Sequence, residues 1–559
     1  MIALAVLVSF GAGGAVSSLD RISAQSPDGL ALTAVTPSGA DCSTESGAVL
    51  YDESSGMKAP AYVPSGTTLS ASRELPSSYK TQTTGIKKQG SVNTCWAFSG
   101  IGALEAYLSH EGRGDHDFSE QHLSWWATKD YNTDGIGWLT PNLDFGGYSM
   151  ISAGYLSSWQ GPKTEEEVPY PTGRNQFMPN NMDTAATVYG VTGIMYVEND
   201  MESLKTAIMN YGAIATSFNN GSGYNSDSST YCQTDFPEKY RGHAVTIIGW
   251  DDNYPRENFK EGMQPENNGA WLAKNSWGTE RGDNGYLWIS YEDSCVFDTN
   301  IWGANIAITG VRTLRGYEHI YQNEIYGSTY YTYLQNSKGI LDTATFANVF
   351  EFDDEHKYLQ DIIFESQALG ADYNLYYIPV KNGKPVADRD RWVFLGSGVI
   401  DSSGYICTDV SGKLELSGKG AIAVEISDEE MAQIGVDEWM TNRNDHDYIF
   451  MPDQRRNQSF IIDGDNVHDL VDVYAANDDD IGGTLVIKAV ACSNVIGDVN
   501  LDSVIDSSDA LTALRVSVGL ERIIDAQQNE NADVDFDGDL TSADALMILR
   551  KSLGLLRNF

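Results

Sequence analysis

The chain has 559 residues, with 78 acidic against 36 basic side chains and a formal charge of −42. That length exceeds what one hydrophobic core usually serves, so several domains are expected, and 41% hydrophobic with 11% aromatic residues is enough to pack them. The acidic excess argues against nucleic acid and anionic membrane surfaces, which need basic patches, and fits a soluble extracellular protein able to bind hard cations.

Residues 1–25 begin with a short apolar run followed by Gly, Ala and Ser. The run resembles the core of a signal peptide and is too short to span a bilayer. No later run reaches about 18 apolar residues, so no membrane span is expected and the protein reads as secreted. Residues 26–74 are rich in Ser, Thr, Ala, Gly and Pro with weak periodicity, which suits either a flexible leader or a propeptide.

From residue 75 to 308 the pattern becomes globular. Ala97, Phe98, Ile101, Leu104 and Leu108 recur at helical spacing after Cys95. Short β-branched runs at 186–197, 213–218, 243–250, 271–275 and 285–290 read as strands, giving a helical half followed by a strand-rich half. Between 309 and 494, strand-like runs at 347–352, 373–378, 421–426 and 483–488 alternate with turns, which predicts a β-sandwich. Residues 495–559 hold a duplication: the Asp498 motif returns at Asp533, 35 positions later, and Asp509-Ala510-Leu511 returns as Asp544-Ala545-Leu546. Of six cysteines, Cys42 falls in the leader, and Cys232, Cys295, Cys407 and Cys492 allow two bridges or none.

Cys95 stands at the start of its predicted helix, where the N-terminal dipole favours thiolate, and Gln89 lies close enough to offer an amide N–H to a developing oxyanion. A thiol nucleophile needs a base, and the base needs an orienting group. His243 enters a strand-like run 148 positions later (243 − 95), and Asn275 follows at 180 (275 − 95). Asn275 would fix the imidazole tautomer, and Trp277 would shield that bond from water.

These residues resemble the papain family of cysteine peptidases over roughly 75–293. The likeness rests on Gln89-Gly90-Ser91 with Cys95-Trp96-Ala97-Phe98, on Ser119-Glu120-Gln121, and on Gly146-Gly147-Tyr148. It continues through His243-Ala244-Val245, Asn275-Ser276-Trp277-Gly278 and Gly285-Tyr286. The resemblance implies Gln89 as oxyanion-hole side chain, Cys95 as nucleophile, His243 as acid/base and Asn275 as its orienter, acting as a Cys95–His243 ion pair without a catalytic cofactor. It implies a substrate strip at Gly146 and Gly147, with Trp277 beside it, and protein or peptide substrates. Val92, Trp126 and Asp144 stand where relatives carry cysteines, so the usual disulfide pattern is not expected.

In the duplicated segment, Asp498, Asn500, Asp502, Val504, Asp506 and Asp509 occupy positions 1, 3, 5, 7, 9 and 12 of a twelve-residue loop, and Asp533, Asp535, Asp537, Asp539, Thr541 and Asp544 repeat it. Alternating oxygen ligands closed by a carboxylate suit two calcium ions, Val504 giving its carbonyl. Position 12 is Asp rather than Glu, and Ser503 replaces the loop glycine. One helix is expected after each loop. The segment resembles a dockerin, which implies a cohesin partner on a scaffold, with Ser507-Ser508 and Ser542-Ala543 at the selecting positions. The middle segment resembles a lectin-like domain, whose aromatics around Tyr321 and Tyr326 line either a glycan surface or a core.

The expected architecture is therefore multidomain: signal peptide 1–25, leader or propeptide 26–74, papain-like α+β peptidase 75–308, β-sandwich 309–494 and a small α-helical dockerin 495–559. The expected function is a secreted cysteine endopeptidase anchored to a cellulosome-like scaffold. The alternative is an inactive papain-like shell serving the same scaffold as a binding or inhibitory component.

Overall fold

The computed structural model describes residues 6–8, 30–35, 66–71, 74–127, 146–171, 186–236 and 241–299. It continues through 303–336 and 339–428 apart from 315, 317, 325, 329, 341 and 412, then 432–438, 455–475, 483–493, 495–535 apart from 503, 524 and 525, and 539–556. Most of the expected signal peptide and leader, together with Cys42, Asp144, Ser503 and Asp537, lies outside the described residues. Within the leader, Leu30–Val35 is a strand pairing antiparallel with Tyr330–Asn336. Nearer the first unit, Thr67 bonds Tyr196 O through its backbone N–H at 2.7 Å.

The first unit is organised on the helix Cys95–His110, whose residues from Cys95 to Leu108 are all buried. A helix apolar on every face belongs inside a core. It lies against the strand Gly242–Asp251: Ser99 Oγ donates to Val245 O at 2.6 Å, and Thr246 Oγ1 donates to Ser99 O at 3.2 Å. Gly102 permits this approach, because a side chain there would collide with the Thr246 hydroxyl. Gly242–Asp251 sits between Ile214–Asn219 and Ala270–Lys274, and the latter pairs with Tyr286–Ser290, all antiparallel. Among the described residues, no helix is long and apolar enough to cross a membrane.

The sheet does not stop where the composition changes. Ile306–Thr313 runs across position 308/309 and pairs with Tyr189–Tyr196. On the other side of that strand, Met195 and Ile194 pair with Gly404 and Tyr405 of the middle unit, so one sheet continues through both. Trp126 is fully buried and packs at 5.3 Å on both Tyr155 and Tyr326. The residue standing where relatives carry a cysteine therefore fills the core shared by two units.

The middle unit is the expected sandwich. One sheet orders Asp372–Lys381, Gly418–Ser427, Thr343–Phe352 and Ser459–Asp463 side by side, antiparallel. The other orders Glu318–Tyr321, Ile487–Cys492, Tyr358–Ser366 and Gly404–Asp409. Phe346, Phe350, Ile362, Phe364, Leu375 and Ile422 are among the side chains that fill the space between. The run 483–488 divides at Val486: Gly483–Leu485 pairs with Gln433–Glu438, while Ile487–Cys492 joins the second sheet. Tyr321 and Tyr326 are buried, which settles these two as core side chains.

In the C-terminal unit, Ser507–Ser517 and Ser542–Ser552 pack together over Val499, Ala513, Val534 and Ile548. A third helix, Ala526–Ala532, precedes the second loop and goes beyond the expected one helix per repeat. Lys551 pairs with Asp409 of the middle unit.

At the junction of the first two units, Tyr196 Oη donates to Glu365 Oε1 at 2.5 Å, and Lys488 pairs with Glu324 at 2.5 Å with neither side chain exposed. A buried charge that loses its counter-ion costs far more than the intact pair contributes. Lys488→Met is expected to destabilise the chain by about 3–5 kcal/mol in urea denaturation; an unchanged midpoint would show that the pair does not hold this junction.

Candidate active site

Gln89, Cys95, His243 and Asn275 arrive on four segments that the fold brings together. Cys95 is the first residue of its helix and is 4% exposed. The next position after His243 matters to it: the backbone N–H groups of Ala244 and Trp96 pull the thiol down. His243 pairs across the sheet with Phe218, and Thr246 pairs with Lys274. Because the strands run antiparallel, continuing past Lys274 carries the chain back toward His243. His243 Nε2 accordingly lies 2.8 Å from Asn275 Oδ1, and the Trp277 ring stacks on the imidazole at 4.6 Å and 26°.

Gln89 is held from several directions. Its backbone N–H donates to Ser276 O at 2.8 Å, its Oε1 accepts from Ser276 Oγ at 2.6 Å, and its Nε2 donates to Val92 O at 2.8 Å. An amide nitrogen carries two hydrogens, so one remains for a ligand. Gly147 lies against the Trp96 indole so closely that any side chain would collide with it, which keeps bare backbone at this edge.

Burial acts on both members of the expected ion pair. Burial pushes the Cys95 thiol up, against the pull of the Ala244 and Trp96 N–H groups. Burial also lowers the His243 imidazole to about 4, with the Asn275 bond working the other way. Desolvation penalises the charged form of each group, which is why the two shifts run in opposite directions. The five described cysteines, Cys95, Cys232, Cys295, Cys407 and Cys492, are free thiols, so of the pairings the sequence left open none is formed.

A residue the sequence reading passed over ties these segments together. Glu105, one of the buried residues of the Cys95 helix, bonds Lys87 at 2.6 Å and Lys274 at 3.5 Å, and accepts from Thr84 Oγ1 at 2.6 Å. Burial works against its charge, but the two lysines outweigh it and hold the carboxyl below the usual range. Lys87 also meets Asp117 and Glu120 at 2.8 and 2.9 Å, and burial pushes Glu120 up to about 8. The available signal was an isolated Glu in an apolar helical run, which cannot be buried without counter-charges.

The duplicated loops place two sets of carboxylates. Asp498, Asp502 and Asp509 bring oxygens within 4.8 Å of one another, as do Asp533, Asp535 and Asp544. Asp509 and Asp544 are buried at position 12 and fold the loops inward: Asp509 accepts from the N–H groups of Val499, Asn500 and Asp506, and Asp544 from those of Val534, Asp535 and Thr541. Asp506 and Thr541, at position 9, also cap the helices that follow. Asn500 Nδ2 donates to Asp502 Oδ2 at 2.9 Å, while Val504 and Asp539 are exposed on their loops. Hard oxygen donors converging on a tight loop fit a calcium-sized cation.

Comparison with known proteins finds a family for each of the three units. Residues 72–304 match the papain family cysteine proteases, 320–491 the lectin like domain and 496–552 the dockerin type I domain. The structure of the cysteine protease and lectin-like domains of Cwp84, a surface layer associated protein of Clostridium difficile, is 34% identical. It covers 77% of this chain and 90% of that one, with a TM-score of 0.67. The chain belongs to the papain family of cysteine proteases. A clostridial Cwp84 structure after propeptide cleavage is likewise 34% identical over 75% of this chain and all of that one (100%), with a TM-score of 0.66. Cathepsin L of Sarcophaga peregrina is 30% identical over 206 residues, 36% of this chain and 54% of that protein. A cathepsin L-like protein of Caenorhabditis elegans is 30% identical over 214 residues, 37% and 56% respectively. The chain thus spans about half the length of these curated relatives. This papain-family protein carries the three units in the order expected from sequence.

Because the Asn275 bond favours the charged ring, Asn275→Ala is expected to move the His243 imidazole below its present value of about 4. Titration of the ring by NMR checks this, and an upward shift would show that Asn275 does not hold the ring as described.

Proposed function

We propose that the chain is a secreted cysteine endopeptidase that cleaves peptide bonds through Cys95, His243 and Asn275 and is held on a cohesin-bearing scaffold by its dockerin. The observation that carries this reading is the His243 Nε2–Asn275 Oδ1 bond. It commits one ring nitrogen to orientation and leaves Nδ1 to exchange a proton with Cys95.

Substrate backbone lies along Gly146 and Gly147. His243 takes the Cys95 proton as the sulfur attacks the peptide carbonyl, and the carbonyl electron pair moves onto oxygen. The Cys95 backbone N–H and the remaining Gln89 Nε2 hydrogen receive that oxyanion. The C–N bond breaks as His243 gives its proton to the leaving amine, freeing one product and leaving a thioester. Water, losing a proton to His243, then attacks the thioester, releases the acid and restores the thiol. Trp277 keeps the His243–Asn275 bond dry, where it counts for more.

The dockerin match and the two carboxylate sets support calcium binding, one ion held by Asp498, Asn500, Asp502, Val504, Asp506 and Asp509 and a second by Asp533, Asp535, Asp537, Asp539, Thr541 and Asp544. Bound calcium would supply the positive charge that lets these carboxylates share a loop. The acidic composition, the dockerin and the surface-layer association of the Cwp84 relative support an extracellular location. The lectin-like match supports a glycan ligand for the middle unit.

Gln89→Ala is expected to lower kcat about 100-fold with little change in KM on a peptide substrate, and Cys95→Ala to abolish turnover. If Cys95 in reduced, leader-free protein resists an epoxide inhibitor of cysteine peptidases, the peptidase reading is wrong.

Asp509→Ala with Asp544→Ala is expected to abolish calcium-dependent cohesin binding and the helical circular dichroism gained on adding calcium. Cohesin binding that survives chelation would rule out a calcium-organised dockerin.

A further inference from the structure

The loop 89–94 has one oxyanion donor at each end: the Gln89 side chain, and the Cys95 N–H just beyond Thr94. No disulfide among the described cysteines ties it. The hydroxyl of Tyr170 reaches both ends, 3.0 Å from Gln89 O and 2.6 Å from Thr94 Oγ1. The carbonyl only accepts, so Tyr170 donates its single hydrogen there, and the Thr94 hydroxyl must donate to Tyr170. Tyr170 is itself fixed, with its N–H donating to Glu165 Oε1 at 2.6 Å and its ring meeting Phe98 edge-on at 4.9 Å.

Thr94 precedes the Cys95 helix with φ −108° and ψ 15°, outside the extended backbone of Ser119, Asp200, Asp506 and Thr541, which cap their helices. Its hydroxyl makes no capping bond and is engaged by Tyr170 instead.

We propose that Tyr170 is a positioning residue for the oxyanion donors: it clamps the two ends of the 89–94 loop. The effect on catalysis rests on the peptidase reading; the tie between the loop ends does not.

The test compares the full chain with its Tyr170→Phe, Thr94→Val and doubly substituted forms. It reads backbone hydrogen exchange over residues 89–95 by mass spectrometry, beside kcat, KM and thermal midpoint. Tyr170→Phe keeps the ring contact with Phe98, so little change in thermal midpoint is expected. Exchange over 89–95 should quicken about tenfold, and kcat should fall about tenfold with KM within about twofold. Thr94→Val removes one end of the same clamp, so the double variant should add little to Tyr170→Phe. Exchange unmoved by Tyr170→Phe, or effects that simply add in the double variant, overturn the proposal. A parent protein that cleaves no peptide sinks the peptidase reading while the exchange rates still decide the role of Tyr170.

Discussion

The site depends on one buried carboxylate. Glu105 is on the helix that begins with Cys95, Lys87 is two residues before Gln89, and Lys274 immediately precedes Asn275. A single ionic cluster therefore joins the segments carrying three of the four site residues, and the fourth, His243, is held through the strand pairing of Thr246 with Lys274. Such a cluster is a weak source of net stability, since desolvation offsets much of its attraction. Its physical consequence is register: no one segment can slide without leaving a buried charge unmatched.

The middle unit enters this framework through the backbone. Tyr189–Tyr196 pairs with Ile306–Thr313 on one side and meets Gly404 and Tyr405 on the other, so the two units share a sheet as well as an interface. Arg312 at the end of that strand pairs with the buried Asp361 at 2.7 Å, and Tyr196 with Glu365. Sheet continuity, a shared aromatic core around Trp126 and matched buried charges all oppose hinging between these units. The C-terminal unit, by contrast, meets the middle one through the polar contact of Lys551 with Asp409, as suits a module proposed to engage a partner of its own.

What could be read from sequence followed the strength of local pattern. Cys95, His243 and Asn275 begin or follow strongly patterned elements, and the C-terminal repeat declared itself by spacing. Glu105 and Tyr170 were not legible, because their partners are long-range and nothing local marks them: Lys274 is 169 positions from Glu105, and Gln89 is 81 from Tyr170. The strand Tyr358–Ser366 was hidden for a related reason. It is central and buried, and Gln360, Asp361 and Glu365 interrupt its apolar run, tolerated because groups such as Arg312 and Tyr196 meet them. The strand Ile306–Thr313 crosses the expected unit boundary at 308/309, because composition changes there while the hydrogen-bonded sheet continues.

Burial weighs on both members of the proposed Cys95–His243 pair: it pushes the thiol up and lowers the imidazole to about 4. Two opposite charges side by side offset much of the desolvation that each would meet separately. On the proposed reading the negative charge ends on the substrate oxygen whichever state the pair rests in, so the groups that must already be in place are the donors facing that oxygen. Their placement is a property of the 89–94 loop, fixed from one side by Ser276 and from the other by Tyr170. The geometry of that loop is what this fold has tied down from both ends.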